Sequence, residues 1–478
     1  MSKLIEQLRE HATRQADKTA VSVLGVGGHA HEISYAALSH RVDALAWHFA
    51  RCTNPPEIVP IMASKDADTV AAIFALLAVG NAFVALNRKL KPPQVENIVK
   101  QTRAVLSWND LRDETITPPF PIRSREINSI GCCLFTSGST GTPKGVLISE
   151  DDLYGRAAAE VRCFGLTPED KLLCVLPFSF DVGLNQLMSA IVAGCTIALS
   201  ESWLPADIVR ATQRLGITGI SAVPAIWNDL LNSGLKLESE TLRYITVSGG
   251  DLPIDRLERL KAAIGPAGMI KTYGQSETFR STALLPDQFA SKPSSVGKPF
   301  GRARIYIVRP DGTRAAPNEP GEIVHTGPGT MLGYLDRDST NLRDNPFHGV
   351  DDPAIRAVYT GDIGWLDEDG YLFIEGRRDT MLKIAGNRVY PQEIVNQLLL
   401  LPGVCAAEII AEKDAVGETL ISAFLVPQRG CTLEQASLRR QIAQRLPSYM
   451  VPRQIVLVDE LPRTASGKID RLALPALR

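Results

Sequence analysis

The sequence predicts an α/β protein: a large N-terminal domain of βα-layered sheets with a β-rich subdomain, then a small α+β C-terminal domain. Three observations carry this. Up to residue 273, short apolar runs alternate with segments of helical period, the pattern of parallel strands with helices on their faces. After Ser291 the texture changes to short strands broken by Gly and Pro, as at 297–299, 310–312 and 328–329. Past Gly376 the charged run Arg377-Arg378-Asp379 interrupts the apolar pattern, and about 100 residues remain, enough for a second domain. The expected division is a large domain over 1–376, a hinge over 377–382 and a small domain over 383–478.

The elements follow in order. The start, MSKLIEQLREHATRQ, is charged and amphipathic and has no signal-peptide core. Two strands flank a turn at 25–28, with His29 and His31 alternating on one face. An apolar i, i+3, i+4 stripe predicts a helix over 35–51. Strand and helix then alternate at 59–63, 71–79, 82–86, 93–102 and 104–107, and strands resume at 171–176, 196–199, 219–222, 244–247 and 269–273. In the last 100 residues, helices are expected over 392–401 and 433–446.

Composition excludes several classes. Of 478 residues, 51 are Lys or Arg and 53 Asp or Glu, a formal charge of −2, so a polyanion surface is not expected and nucleic acid is no partner. A hydrophobic fraction of 45% excludes wholesale disorder. Eight scattered cysteines without a CxxC pair read as reduced thiols in a cytoplasmic protein, and seven histidines form no metal-ligand spacing. The stretch 69–87 carries no charge and is long enough to span a bilayer. Gly80-Asn81 breaks it and Asp66, Asp68 and Arg88 flank it, so it reads as a buried helix running into a buried strand, with no membrane partner.

The chemistry concentrates in the segment LFTSGSTGTPKGV at 134–146. Thr136, Ser137, Ser139, Thr140 and Thr142 supply hydroxyls, Gly138, Gly141 and Gly145 permit close backbone approach, and Lys144 adds a cation. Such a loop suits polyphosphate oxygens. A Walker A loop is excluded, because Pro143 stands where that motif requires Gly.

This segment resembles the phosphate loop of the adenylate-forming superfamily: AMP-forming acyl-CoA synthetases, peptide-synthetase adenylation domains and luciferases. Four further signatures follow in order: YGQSET at 273–278, YTGD at 359–362, GRRDTMLK at 376–383 and PRTASGKIDR at 462–471. The resemblance covers essentially the whole chain, and it looks most like stand-alone amino-acid adenylation enzymes.

The resemblance implies an ATP site of Thr136, Ser137, Gly138, Ser139, Thr140, Gly141, Lys144, Gly249, Gly250, Thr272, Tyr273, Gly274, Ser276, Asp362, Arg377 and Lys468. In it Tyr273 stacks on adenine, Asp362 accepts both ribose hydroxyls, and Glu277 holds Mg²⁺ through a hard oxygen. Ser276 stands where the family usually has Thr and keeps the hydroxyl. Lys468, with Glu277 and Lys144, is implied as catalytic. Its ammonium offsets the charge of a carboxylate approaching an anionic α-phosphate. Asp379 is the implied hinge, about which the small domain swings to exchange Lys468 for the segment from Lys383 to Gly386, where Gly386 admits a pantetheine arm.

The acid pocket carries over as Asp181, Val182, Asn185, Ser221, Thr246, Ser248, Thr272, Arg280 and Ser281, a small and polar set. Asp181 reads two ways: as partner of a substrate ammonium, or as a helix N-cap. Arg280 either pairs with Asp181 or receives a second polar group of the substrate. The chain stops seven residues after Arg471 without a carrier domain, so the thiol is expected in trans. The expected function is ATP- and Mg²⁺-dependent adenylation of a small acid, foremost an amino acid, and transfer to the phosphopantetheine of a separate carrier protein. The alternatives are a small-acid:CoA ligase and a non-catalytic nucleotide-binding regulator.

Overall fold

The computed structural model describes residues 2–25, 30–53, 55–90, 92–102, 130–136, 144–335, 338–349, 352–378, 382–384, 387–413, 419–464 and 467–478; of Lys383, Asn387, Arg388, Lys413 and Thr419 it describes the backbone alone. The expected strand at 104–107, most of the phosphate loop, Asp379 and Gly386 lie outside these residues.

Two sheets layer the large domain. In the nine-stranded sheet, the strands Gly268–Tyr273, Tyr244–Ser248, Gly219–Ala222, Lys171–Cys174, Thr196–Leu199 and Thr19–Leu24 run parallel in that spatial order. Antiparallel strands close its edges: Ala30–Ser34 on one side, Thr282–Leu284 and Lys298–Pro299 on the other. The second sheet has Ile58–Ala63, Ala82–Asn87 and Ile130–Thr136 parallel. There the βα reading needs one correction, because Lys144–Ser149 pairs antiparallel to Ile130–Thr136. Only seven residues join them, too few for the crossover that a parallel pair demands.

The uncharged stretch folds as anticipated. Asp66 caps the helix Ala67–Val79 by accepting from the Thr69 amide at 2.7 Å, and Gly80 ends it in the left-handed region at φ 91°. Every residue from Thr69 to Val79 is buried, as is the following strand up to Leu86. This helix lies between the sheets. Its Phe74 shares one core with Val59, Phe83 and Cys132 of one sheet and Leu172 and Ile197 of the other. The helix Asp181–Ala193 joins the same core through Leu184, Leu187 and Met188. Among the described residues no helix is long and apolar enough to cross a membrane.

A second core, around Trp227, packs the helices Pro205–Leu215, Pro224–Ser233 and Ile254–Ala263 on the opposite face of the nine-stranded sheet. The β-rich part is a sheet of Arg304–Val308, Gly321–Thr326, Arg356–Leu366 and Leu342–Asp344, with Leu372–Arg377 also paired to Arg356–Leu366. The last 100 residues have their own core, in which Ile394 and Leu398 of the helix Pro391–Leu399 and Leu438 and Ile442 of Gln435–Arg445 cover a three-stranded sheet.

Candidate active site

The parallel strands of the large sheet end together, and the loops beyond their carboxyl ends build the site, as in open α/β sheets generally. Lys171–Cys174 leads to Phe178–Asp181, Tyr244–Ser248 to Gly249-Gly250, and Gly268–Tyr273 to the turn 274–278. Gly274 makes that turn tight, since a Cβ there would lie 2.7 Å from the Arg280 Cα.

At one corner Asp362 is the hub. Its Oδ2 accepts from the Tyr273 hydroxyl at 2.6 Å and from Gln275 Nε2 at 2.7 Å, and Arg377 approaches Oδ1 at 3.5 Å. Gln275 also donates to the Thr360 carbonyl, which locks the 273–278 turn to the β-rich sheet. Burial beside the Asp362 carboxylate pushes the Tyr273 phenol well above its usual range, so it stays a donor. Gln275 lies inside the YGQSET signature, yet its grip on Asp362 is not readable from sequence.

A second corner is formed by Glu277, whose Oε1 accepts from the Tyr334 hydroxyl at 2.8 Å. The Lys144 ammonium lies 5.5 Å from the centre of the Tyr334 ring. Tyr334 reaches this corner because Gly333–Tyr334 pairs with Val146 and Leu147, next to Lys144 on the same strand. Sequence reasoning missed it: 57 residues separate Tyr334 from Glu277. Among the described residues no three His, Cys, Asp or Glu cluster as a metal cage. One carboxylate across Tyr334 from the Lys144 ammonium nonetheless fits Mg²⁺, which keeps few protein ligands and takes the rest from phosphates and water.

Lys468 enters from the C-terminal loop. An isolated antiparallel bridge between Arg463 and Ile469 closes the loop, and Thr464 donates to the Lys468 carbonyl at 2.7 Å. The ammonium lies 5.0 Å from the centre of the Phe180 ring, the residue before Asp181. A Cβ at Gly249, where φ is 76°, would stand 3.3 Å from Lys468 Cε and 3.1 Å from Phe180. Glycine there leaves room for the lysine.

Asp181 is the first residue of its helix, with Phe180 at the cap position, and among the described residues its carboxylate accepts from the next amide alone, Val182, at 2.8 Å. The N-cap alternative is therefore not what the structure places here. At 6% exposure its carboxyl is pushed up by burial, an effect that Lys468 chiefly opposes. Arg280 does not pair with Asp181. It pairs with Glu160 at 3.0 Å, both side chains buried, and Asn185 donates to the same Glu160. Glu160 sits on the adjacent helix Glu150–Phe164, so the Arg280 salt bridge goes to Glu160, while Asp181 feels the Lys468 charge more strongly than that of Arg280.

The remaining pocket residues divide. Thr246, Ser248 and Thr272 form a buried hydroxyl chain with steps of 3.2 and 2.6 Å, beside buried Ser221. Val182 packs into the Trp227 core. The Ser281 hydroxyl is engaged by Thr278 at 2.9 Å and His325 Nδ1 at 3.1 Å, on the side of the 273–278 turn. Gly250 stands near Pro224, and Ser276 is half-buried in the turn.

Fold and site together define an adenylate-forming ligase. The chain belongs to the AMP-binding enzyme family, whose model matches residues 8–113 and 107–335, with the AMP-binding enzyme C-terminal domain matching 393–468. A 2-succinylbenzoate–CoA ligase of Geobacillus sp. (strain WCH70) is 33% identical over 446 residues, 88% of this chain and 87% of that protein. Bacitracin synthase 3 of Bacillus licheniformis is 27% identical over 99% of this chain, which spans only 8% of that protein. The solved structure of o-succinylbenzoate CoA synthetase from Bacillus subtilis with its acyl-adenylate superposes with a TM-score of 0.85 at 25% identity, covering 99% of this chain and 98% of that one. The likeness therefore extends to CoA ligases over nearly their whole length and to peptide synthetases over one segment, which shifts the weight from carrier-protein loading to the CoA alternative.

Proposed function

We propose that the protein is a small-carboxylic-acid:CoA ligase that forms AMP, using ATP with Mg²⁺ in a cytoplasmic setting. The observation that carries this reading is that Lys468 and Glu277 both act on buried Asp181, while Tyr273 and Gln275 of the same turn as Glu277 hold Asp362, next to the buried Ser248–Thr272 hydroxyls. Asp362 takes the ribose hydroxyls and Tyr273 the adenine. Thr136, Lys144 and the 137–141 segment take the phosphates, with Gly249, Gly250, Thr272, Gly274, Ser276 and Arg377 around the nucleotide. Mg²⁺, bound through Glu277, supplies charge neutralisation on the phosphate oxygens. Lys468 holds the acid's carboxylate against the α-phosphate, whose bond to the β-phosphate breaks as the new C–O–P linkage forms and pyrophosphate leaves. In the second half, the CoA thiol gives its proton to solvent, its sulfur attacks the acyl carbon, and AMP departs with the electrons of the broken C–O bond.

This reading divides the chain into a large domain over 1–376, a hinge at 377–382 about Asp379, and a small domain over 383–478 whose Lys383–Gly386 face serves thioester formation. Support for the CoA acceptor comes from the ligases matched along almost their full length. Eight cysteines, none in a disulfide, suit a reducing compartment. ATP–pyrophosphate exchange over a panel of small acids, followed by thioester assay with CoA or a phosphopantetheinylated carrier, tests it. CoA thioester is the expected product; carrier loading without CoA turnover overturns the acceptor.

A second reading, amino-acid activation, is favoured by one observation: Arg280 is committed to Glu160, so Asp181 is a buried carboxylate facing the Lys468 side of the pocket. If Asp181 pairs with a substrate ammonium, Asp181→Asn lowers exchange about a hundredfold or more for the amino acid and spares its des-amino analogue, as expected when a buried ion pair is broken on one side. Equal exchange with both acids in wild type and mutant excludes it.

A further inference from the structure

The helices Pro224–Ser233 and Ile254–Ala263 turn a polar face toward the small domain, and its contacts are specific. Arg256 is 1% exposed and donates through one guanidinium nitrogen to the Val404 carbonyl at 3.0 Å and, at 3.4 and 3.5 Å, to those of Leu399 and Cys405. Leu399 is the last residue of the helix Pro391–Leu399, so its carbonyl is one that the helix cannot satisfy itself, while Val404 and Cys405 open the strand Val404–Lys413. Asn232 donates to Cys405 Sγ at 2.8 Å. Nearer the site, Asp229 pairs with Arg463 at 2.9 Å, five residues before Lys468.

We infer that Arg256, Asn232 and Asp229 are positioning residues that latch the small domain in the one pose where Lys468 reaches the cleft, and so set how the protein divides its time between the two half-reactions. This inference rests on the two-step reading above. The chemistry suits a contact that must open in every turnover. Arg256 meets neutral carbonyls and the amide oxygens of Asn228 and Asn232 rather than a carboxylate, and on opening its guanidinium regains water, which offsets the contacts given up. A buried Arg–carboxylate pair would leave two charges to be resolvated and would be tighter or costlier to separate. The two attachment points, at Arg256 and at Asp229–Arg463, fix the rotation as well as the distance, and neither touches the cleft.

The test uses the full-length protein and the acid that exchanges fastest in the panel. Arg256→Ala should lower kcat of pyrophosphate exchange at least tenfold with KM for ATP little changed. Release of CoA thioester from a supplied adenylate of the same acid should be undiminished. Arg256→Lys should recover part of the loss. Asp229→Arg and Arg463→Asp should each reduce exchange, and the double variant should recover it. Equal losses in both half-reactions, or undiminished exchange in Arg256→Ala, overturn the latch. Should Arg256→Ala fail to fold, Asn232→Cys gives an independent reading, because it places a thiol beside the native Cys405. Oxidation should tether the pose, keeping exchange and abolishing thioester formation until reductant is added; failure to cross-link, or loss of both activities on oxidation, overturns it. Lys468→Ala run in parallel separates the levels. If it retains exchange, the two-step reading fails and the latch with it; if it loses exchange while Arg256→Ala does not, the latch alone falls.

Discussion

On the reading proposed above, Lys468 brings one positive charge to the point where an acid's carboxylate must approach an anionic phosphate; its ammonium lies over the Phe180 ring, Gly249 leaves room for its stem, and among the described residues it makes no ion pair. Removing it should leave nucleotide binding nearly intact and strip out stabilisation made only in the transition state. Lys468→Ala is expected to lower exchange at least a hundredfold, about 3 kcal/mol of barrier, with ATP affinity within a few-fold. Survival of exchange within tenfold would falsify the assignment. Tyr334 acts one step out. Its hydroxyl fixes the Glu277 carboxylate, and losing such an outer partner typically weakens a metal site about tenfold. Tyr334→Phe should therefore raise the Mg²⁺ concentration needed for half-maximal ATP binding, read by calorimetry, while metal-free ATP binding stays as in wild type. The motif residues were legible in the sequence because each sits in a short contiguous signature. Tyr334 and Gln275 were not, since what they do depends on partners 57 and 87 residues away that only the sheet registers bring close.

At the level of elements, the legible parts are those whose signal is local. Asp66 before the run 67–79 and Gly80 after it announce that helix from its caps, and the apolar strands announce a sheet. What the periodicities could not give is which strand lies beside which, or that Glu160 on one helix would neutralise Arg280 beyond a strand end 120 residues later. That pair is buried with Asn185 on the shared Glu160, so breaking it on one side should be severe. Glu160→Gln is expected to lower stability by about 3–5 kcal/mol, while replacing both charges with apolar residues of similar volume should recover most of it. Urea unfolding of single and double variants decides, and a mild Glu160→Gln would contradict the pairing. His325, on the strand Gly321–Thr326, makes a further prediction. Burial pushes it down to about 3, so between there and its unfolded value near 6.5 the unfolded chain binds a proton that the folded one refuses. Stability from this group is full above 6.5 and falls as pH drops, by about 2 kcal/mol at pH 5. Denaturant midpoints of wild type and His325→Gln, each compared between pH 7 and 5, should diverge accordingly; parallel pH slopes would refute it.

For the whole molecule, the two-step reading proposed above requires one site to serve two reactions that cannot share the same occupant. Arg377 and Arg378, at the end of the large part, are held to Asp362 and Glu322, and the small part resumes with Leu382 paired to Val389. On the two-step reading proposed above, the hinge is expected in the few residues between 378 and 382. Substituting proline at Asp379 fixes φ there near −65° and removes the backbone freedom a swing requires. Because the pose that places Lys468 is the one observed, Asp379→Pro should keep pyrophosphate exchange within a few-fold of wild type and lower CoA thioester formation at least tenfold. Asp379→Ala, which leaves φ free, should preserve both. The signature is opposite to that of Arg256→Ala, which loosens the same pose and should lose exchange first. Joining the two substitutions gives the sharper comparison: if the proline confines the chain to the Lys468 pose, it should restore much of the exchange that Arg256→Ala loses. Additive loss of exchange in the double variant would mean that Asp379 and Arg256 do not act on one conformational equilibrium.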